Sequence, residues 1–269
     1  MFKSLPPHGN LPAVPERLPV LFRDDALVVV NKPSGLLVHR SLIDRHERRF
    51  AVQILRDQLG RRVYPVHRLD KGTSGALVFA LDRDTARTLA NDFSQRRIGK
   101  TYLAIVRGWP ADSGEIDHPL EAVEDARTAQ DPAEAKPSLT RFRTLGTVEL
   151  PYRVDRYPTT RYALVELRPE TGRRHQLRRH LAHASHPIVG DSTYGKGRHN
   201  RLFADLFGVQ RLLLACVRLE FAHPSTRQML AIDAPLAADF ASVLQRLGWH
   251  WEPPPASVSS SSPSPSPRA

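Results

Sequence analysis

Nine consecutive residues concentrate reactive and turn-forming groups: His67-Arg68-Leu69-Asp70-Lys71-Gly72-Thr73-Ser74-Gly75. A single acid, Asp70, lies between a short apolar run, Val63 to Val66, and a strongly apolar one, Ala76 to Leu81. Both runs read as buried strands. Gly72 and Gly75 permit tight turns, and Thr73 and Ser74 can hydrogen-bond a turn locally. The pattern predicts a carboxylate in a sharply folded loop on a rigid support, where a reactive group is held accurately. A lone Asp-x-Gly would read as an ordinary hairpin turn. The joint presence of His67, Arg68, Asp70, Thr73, Ser74 and Gly75 speaks against that reading.

A second chemically rich stretch is Thr171-Gly172-Arg173-Arg174-His175-Gln176-Leu177-Arg178-Arg179-His180-Leu181-Ala182-His183. After Gly172 its pattern is helical: Leu177 and Leu181 stand one turn apart, and Arg174 and Arg178 share a face. Arginines at a helix start oppose the macrodipole. Either an acid such as Asp70 or the phosphates of a ligand must compensate them. His175, His180, His183 and His186 raise the question of a metal, but no acid or cysteine stands at metal-binding spacing, and zinc needs three or four convergent ligands. The expectation is no metal, with these imidazoles solvated or contacting phosphate.

The elements that must position these groups can be read along the chain. Residues 1–19 carry Pro6, Pro7, Pro12, Pro15 and Pro19 and are expected to form a loose leader, with the fold beginning at Val20. Leu27 to Val30 reads as a strand, Asn31 to Gly35 as a hairpin turn, and Leu36 to Val38 as its continuation. His39 to Arg49 is a polar, basic loop. Phe50 to Leu59 is expected to be a short helix closed by Gly60. Asp82 or Asp84 can cap a helix running to about Arg97, with Ala86, Leu89, Ala90 and Phe93 inward. Lys100 to Val106 alternates as a strand, with Tyr102, Ala104 and Val106 on one side and Thr101, Leu103 and Ile105 on the other. Residues 110–138 form an aperiodic excursion. Strands follow at Leu139–Val148, Tyr162–Leu167 and Arg211–Leu219, and a helix at Ala237–Leu247. Arg156 to Arg161 is a basic, aromatic loop between two of them. The Pro/Ser-rich tail, 252–269, is expected to be disordered, which leaves 20–251 as the folded domain.

With 269 residues and a formal net charge of +11, the chain suits one large domain with a polyanionic partner, most simply nucleic acid. A membrane surface or a ribosome would also account for the charge. The single cysteine, Cys216, excludes a disulfide framework and a cysteine-based zinc site within one chain. The N-terminus lacks the apolar core of a signal peptide, and no run approaches membrane-spanning length, so a soluble cytoplasmic protein is expected.

The segment His67 to Gly75 resembles the HRLDxxTSG signature of the RluA-type pseudouridine synthases, with every fixed position matched. Further elements agree: Asn31-Lys32-Pro33-Ser34-Gly35, Lys100-Thr101-Tyr102-Leu103-Ala104, Thr171 to His180, Ile188-Val189-Gly190-Asp191 and Arg211 to Leu214. The resemblance covers about residues 20–250 and implies an α+β fold, a mixed, mainly antiparallel sheet with flanking helices and loops. It implies an isomerase that converts uridine in RNA to pseudouridine without a cofactor. By residue it makes Asp70 the catalytic carboxylate, Tyr102 the ring that stacks on the target base, and Arg178 the cation that pairs with Asp70. Arg68 would fill the space left by the flipped nucleotide, and His67, Leu214, Arg173 and Gln176 would line the substrate site. One position departs from the pattern: Ala215 stands where a histidine normally follows the leucine run.

Leu37 to Ser41 with Asp44, Arg156 to Tyr162, and Arg178 to His183 further resemble the branch of the family that modifies the T-stem of tRNA. Members of that branch lack an N-terminal S4 RNA-binding domain, and none fits before Val20. A tRNA partner, no protein partner and a monomer are therefore expected. Three other readings stay open from sequence: the same chemistry on ribosomal RNA, a non-catalytic RNA-binding protein, and a glycoside or nucleoside hydrolase. The hydrolase usually needs two carboxylates, and no second acid sits in a comparable motif. The binder has no use for a buried acid that faces an anionic ligand.

Overall fold

The computed structural model describes residues 17–40, 47–121 and 134–253. Most of the expected leader, the tail beyond residue 253, Ser41 and Asp44, and the centre of the 110–138 excursion lie outside them. In chain order the elements are β1 (Val20–Arg23), β2 (Leu27–Lys32), α1 (Ala51–Leu59), β3 (Tyr64–Pro65), β4 (Ser74–Ala80), α2 (Arg83–Ser94), β5 (Gly99–Arg107), β6 (Ser113–Asp117), β7 (Leu139–Leu150), β8 (Thr160–Pro169), α3 (Gln176–His183), α4 (Gly197–Phe207), β9 (Leu214–Ala222), β10 (Met229–Asp233) and α5 (Ala238–Arg246).

Among the described residues the strands form one mixed sheet in the order β1-β2-β4-β9-β5-β8-β7-β6, with β3 added to β4 and β10 to β9. The β4–β9 pair is parallel, with Ser74 beside Ala215 and Gly75 beside Cys216; the other pairings are antiparallel. This is the α+β architecture expected. β5 divides its side chains as its alternation predicts. Tyr102, Ala104 and Val106 join the larger apolar cluster with β2, β4 and α1. Leu103 and Ile105 join a second cluster with Phe203 of α4 and Phe240 and Val243 of α5. Helices thus cover both faces, and each fully buried Phe or Val contributes about 1.5–3 kcal/mol relative to exposure.

Several local expectations are corrected. Val63 to Val66 yields only the two-residue β3, whose residues are not buried. Of the residues beside it, Val63 is buried in the larger apolar cluster and Val66 packs against that cluster. Leu36 to Val38 does not continue a hairpin, because β2 pairs with β1 and β4; Leu37 makes a single parallel bridge to Phe50. Arg211 to Leu213 precede β9 rather than open it. Asp82 caps α2 by accepting from the backbone of Asp84 and Thr85, but the helix stops at Ser94, Ala90 is exposed, and Asp92 takes the inward place. β6 falls within the aperiodic excursion. Packing begins before Val20: Leu18 is buried, and its backbone exchanges hydrogen bonds with the Gln58 side chain.

Candidate active site

Asp70 sits at the seam where β4 and β9 run parallel. Ser74 opens β4 directly after the acid loop, and Gly75 holds φ at +111° with its Cα pressed against β9. A Cβ there would lie 2.0 Å from the Cys216 carbonyl oxygen, so only glycine allows this approach. The loop is gripped from behind by the Asn31–Gly35 turn. Lys32, fully buried, donates from Nζ to the carbonyls of Pro33, Leu36 and Lys71. Gly35 N also donates to Lys71 O, and Ser34 Oγ to Gly72 O. Burial, and then Arg211, lower the Lys32 pKa to about 7, while Asp70 opposes the shift. The turn, expected to be a plain hairpin, therefore fixes the backbone immediately after the acid.

In front of Asp70 stand a guanidinium and an imidazole. Arg178 Nη1 lies 3.6 Å from Asp70 Oδ2, and His175 Nε2 lies 3.9 Å from Oδ1. Arg178 is expected to pair with Asp70, and the structure brings them together, but its tight partner is a different acid. Asp191 accepts from Arg178 Nε at 2.7 Å and Nη2 at 2.8 Å. Burial favours the neutral carboxyl at Asp191, yet the Arg178 and Tyr194 hydrogen bonds outweigh it and hold the group below its ordinary value. Arg178 is held above its ordinary value by Asp191 and Asp70 against the cost of burial. Two acids thus answer the arginine-rich helix start. The sequence signal for the second is Gly190-Asp191 after an apolar pair. Arg174 lies before α3, not on its face.

These groups open on a cavity of about 440 Å³ lined by His67, Arg68, Asp70, Tyr102, Arg173, His175, Gln176, Arg178 and Leu214 among others. That is the size of a small-molecule site. Tyr102 is nearly buried, and burial, the Cys216 thiol and Asp70 raise its hydroxyl well above the ordinary value. Burial likewise pushes Cys216 up to about 12. Leu214 is buried at the start of β9 and faces the cavity, whereas Ala215 points into the other apolar cluster. The departure from the family pattern at Ala215 therefore leaves the cavity unchanged. Arg68 is exposed on the rim and Arg173 is half-buried there.

Two expected substrate contacts line the cavity and also bind the fold. His67 Nε2 accepts from Val78 N at 3.0 Å, and its ring stacks on Phe93 at 4.4 Å. Burial, and then Lys100, lower its pKa to about 3, so it is neutral. Gln176 is buried; its oxygen accepts from Thr171 Oγ1 and Arg173 N, and its nitrogen donates to Leu139 O and Thr140 Oγ1. It ties the Thr171–Gln176 loop to β7. The other histidines are not simply solvated. His180 is fully buried between Thr140 Oγ1 and His118 O, His183 stacks on His118 at 3.7 Å, and His186 hydrogen-bonds Arg107 O.

The family model for RNA pseudouridylate synthases matches residues 26–183, which takes in the acid loop, β5 and the whole of α3. The chain belongs to the RNA pseudouridylate synthase family. Across 235 residues it is 47% identical to tRNA pseudouridine synthase C of Vibrio vulnificus (strain CMCP6), covering 86% of this chain and 96% of that one. Over the same length it is 48% identical to the protein of that name from Vibrio cholerae serotype O1 (strain ATCC 39315 / El Tor Inaba N16961), with the same coverages. Among solved structures, Human RNA Pseudouridylate Synthase Domain Containing 4 superposes with a TM-score of 0.64 at 28% identity, covering 86% of this chain and 93% of that one. In this synthase the loop before β4, together with β5, β9 and α3, carries the cavity. Among the described residues no helix is long and apolar enough to cross a membrane.

Proposed function

We propose that this chain is a tRNA pseudouridine synthase acting on a uridine of the T-stem, with Asp70 as its reacting carboxylate. The observation that carries the reading is the Asp70 carboxylate in the cavity, with one oxygen turned to Arg178 and the other to His175. In the reaction the C1′–N1 bond breaks and a C1′–C5 bond forms. C5 loses a proton and N1 gains one, so neither water nor a redox partner is consumed. Asp70 attacks C1′ as a nucleophile or abstracts a proton at C2′, and both routes need it ionised in a site that excludes water. Arg178 supplies the fixed positive charge that offsets its desolvation.

The target base must leave its stack, which costs a few kcal/mol. Exposed Arg68 fills the vacated space, while Tyr102 and Leu214 receive the uracil. The neutral Tyr102 hydroxyl is in place to serve proton transfer at C5. Arg173 at the rim and the basic surface provide salt-dependent backbone affinity. The tRNA substrate is supported by the names of the relatives and by the T-stem-like stretches, and it puts the reaction in the cytoplasm.

The test is pseudouridine mapping on total RNA incubated with the purified protein, wild type against Asp70→Asn. One new T-stem site in tRNA, absent with the variant, is the expected result. Sites in ribosomal RNA would keep the chemistry and replace the substrate. No new site, with RNA still bound, would make the chain a binding protein.

A further inference from the structure

The segment Gly190–Gly195 reaches both groups that face Asp70. Asp191 grips Arg178 with both carboxylate oxygens, and the Tyr194 ring lies 5.1 Å from the Arg178 guanidinium carbon. The Tyr194 hydroxyl stands 3.1 Å from His175 Nδ1. The segment is itself fixed. Asp191 Oδ1 accepts from Thr193 N and Tyr194 N, Asn200 of α4 binds Gly190 N and Asp191 O, and a Cβ at Gly190 would strike the Arg211 carbonyl. His175 holds a left-handed backbone, φ 55° and ψ 24°, immediately before α3. Such a conformation in a non-glycine residue persists only where its surroundings enforce it, and it clusters at functional sites.

We infer that Tyr194 is a positioning residue: its hydroxyl donates to His175 Nδ1 and so fixes the imidazole as the Nε2–H tautomer facing Asp70. This deepens the reading of Asp70 as the reacting carboxylate and rests on it. A neutral imidazole carries one N–H. Were it on Nδ1, the bare Nε2 lone pair would face the Asp70 carboxylate and repel it. With the proton on Nε2, the N–H dipole points at Asp70 Oδ1 and Nδ1 is left to accept, which the tyrosine hydroxyl satisfies. Burial, Arg178 and Arg174 favour the neutral ring; Asp70 and Asp191 favour the cation, and the balance lowers the His175 pKa. A neutral donor orients one carboxylate oxygen without adding a second full positive charge beside Arg178, so Asp70 keeps its nucleophilic or basic character.

Tyr194→Phe removes the hydroxyl and keeps the ring beside Arg178. Turnover on a tRNA transcript should fall about tenfold in kcat, with KM nearly unchanged. Loss of the donor to Nδ1 destabilises the neutral ring, so the acid limb of the rate profile should move up by about one pH unit. Nitrogen-15 NMR of the histidines, with the His175 signal assigned through His175→Gln, should show the Nε2–H form in wild type and loss of that bias in Tyr194→Phe. A purely structural role would lower the folded fraction without moving the tautomer or the pH limb. A turning-over wild type with His175 in the Nδ1–H form, or a Tyr194→Phe variant with wild-type kcat and pH profile, overturns the positioning role alone. A wild type inert on tRNA overturns the functional reading and, with it, the role given to Tyr194.

Discussion

The cavity wall built from residues 67–96 and the wall built from residues 171–194 each contribute a histidine, held in opposite ways. In the first, His67 is held by the fold: its Nε2 accepts a strand amide, its ring packs on Phe93, and burial keeps it neutral far into acid. In the second, His175 is strained into the left-handed region, tethered through Nδ1, and turns Nε2 to Asp70. Around His67 the partners are backbone and aromatic; around His175 they are two acids, an arginine and a tyrosine. The histidine of the first wall spends its Nε2 on a strand amide, whereas that of the second turns its Nε2 to Asp70. The proposed reaction uses both walls: Asp70 of the first meets Arg178 and His175 of the second at the sugar, and Tyr102 and Leu214 between them receive the uracil.

Five variants separate the walls, in falling order of effect. Asp70→Asn should lower single-turnover rate by at least about 10³-fold while RNA binding, measured by filter retention, persists. Retained turnover would remove Asp70 from its role. Arg178→Ala should cost about 10²–10³ in rate and about 3–5 kcal/mol in stability, since it leaves Asp191 buried without its cation. The double variant Arg178→Ala, Asp191→Ala should recover stability in urea titrations but not rate, because the charge beside Asp70 stays absent; recovery of both would mean that another group holds Asp70. His67→Gln should flatten acid unfolding. The pKa of His67 is about 3 in the fold against an ordinary 6.5, so below pH 6.5 the unfolded chain binds a proton the folded chain refuses. Stability then falls with pH by up to about 1.4 kcal/mol per unit until about pH 3. An unchanged slope in the variant would assign that acid sensitivity elsewhere. Arg173→Ala, at the rim, should leave stability within about 0.5 kcal/mol and reduce the salt slope of RNA binding by about one.

Periodicity made part of this molecule legible from sequence. β5 splits its faces as its alternation says, and α1 and α2 have the Gly60 stop and Asp82 cap that mark them. Asp70 stood out because turn residues and charges crowd around one acid. What stayed hidden lacked a local signal. α4 begins at Lys196 with no capping side chain and no acid in its first turn. β6 and β10 are five-residue strands with a single buried side chain each, too little alternation to read. The motifs that hold Gln176 and His67 do not show that the Gln176 amide and His67 Nε2 already bind the fold; only three-dimensional neighbours reveal it. Asp191 and Tyr194 act on Arg178 and His175 across a loop, a pairing that no helical or strand period encodes.

The parallel seam between β4 and β9 has a consequence for how the enzyme comes into being. Ser74 and Ala215, which meet there, are about 140 residues apart along the chain, and closing so long a loop is entropically unfavourable until many other contacts exist. A ribosome making this protein releases the acid loop long before β9, α3 or Asp191 can reach it. The half-made chain therefore holds the Asp70 carboxylate without Arg178, His175 or Leu214. The growing polypeptide cannot act on the tRNA crowded around its own birthplace, and competence arrives only when the last third of the sequence docks.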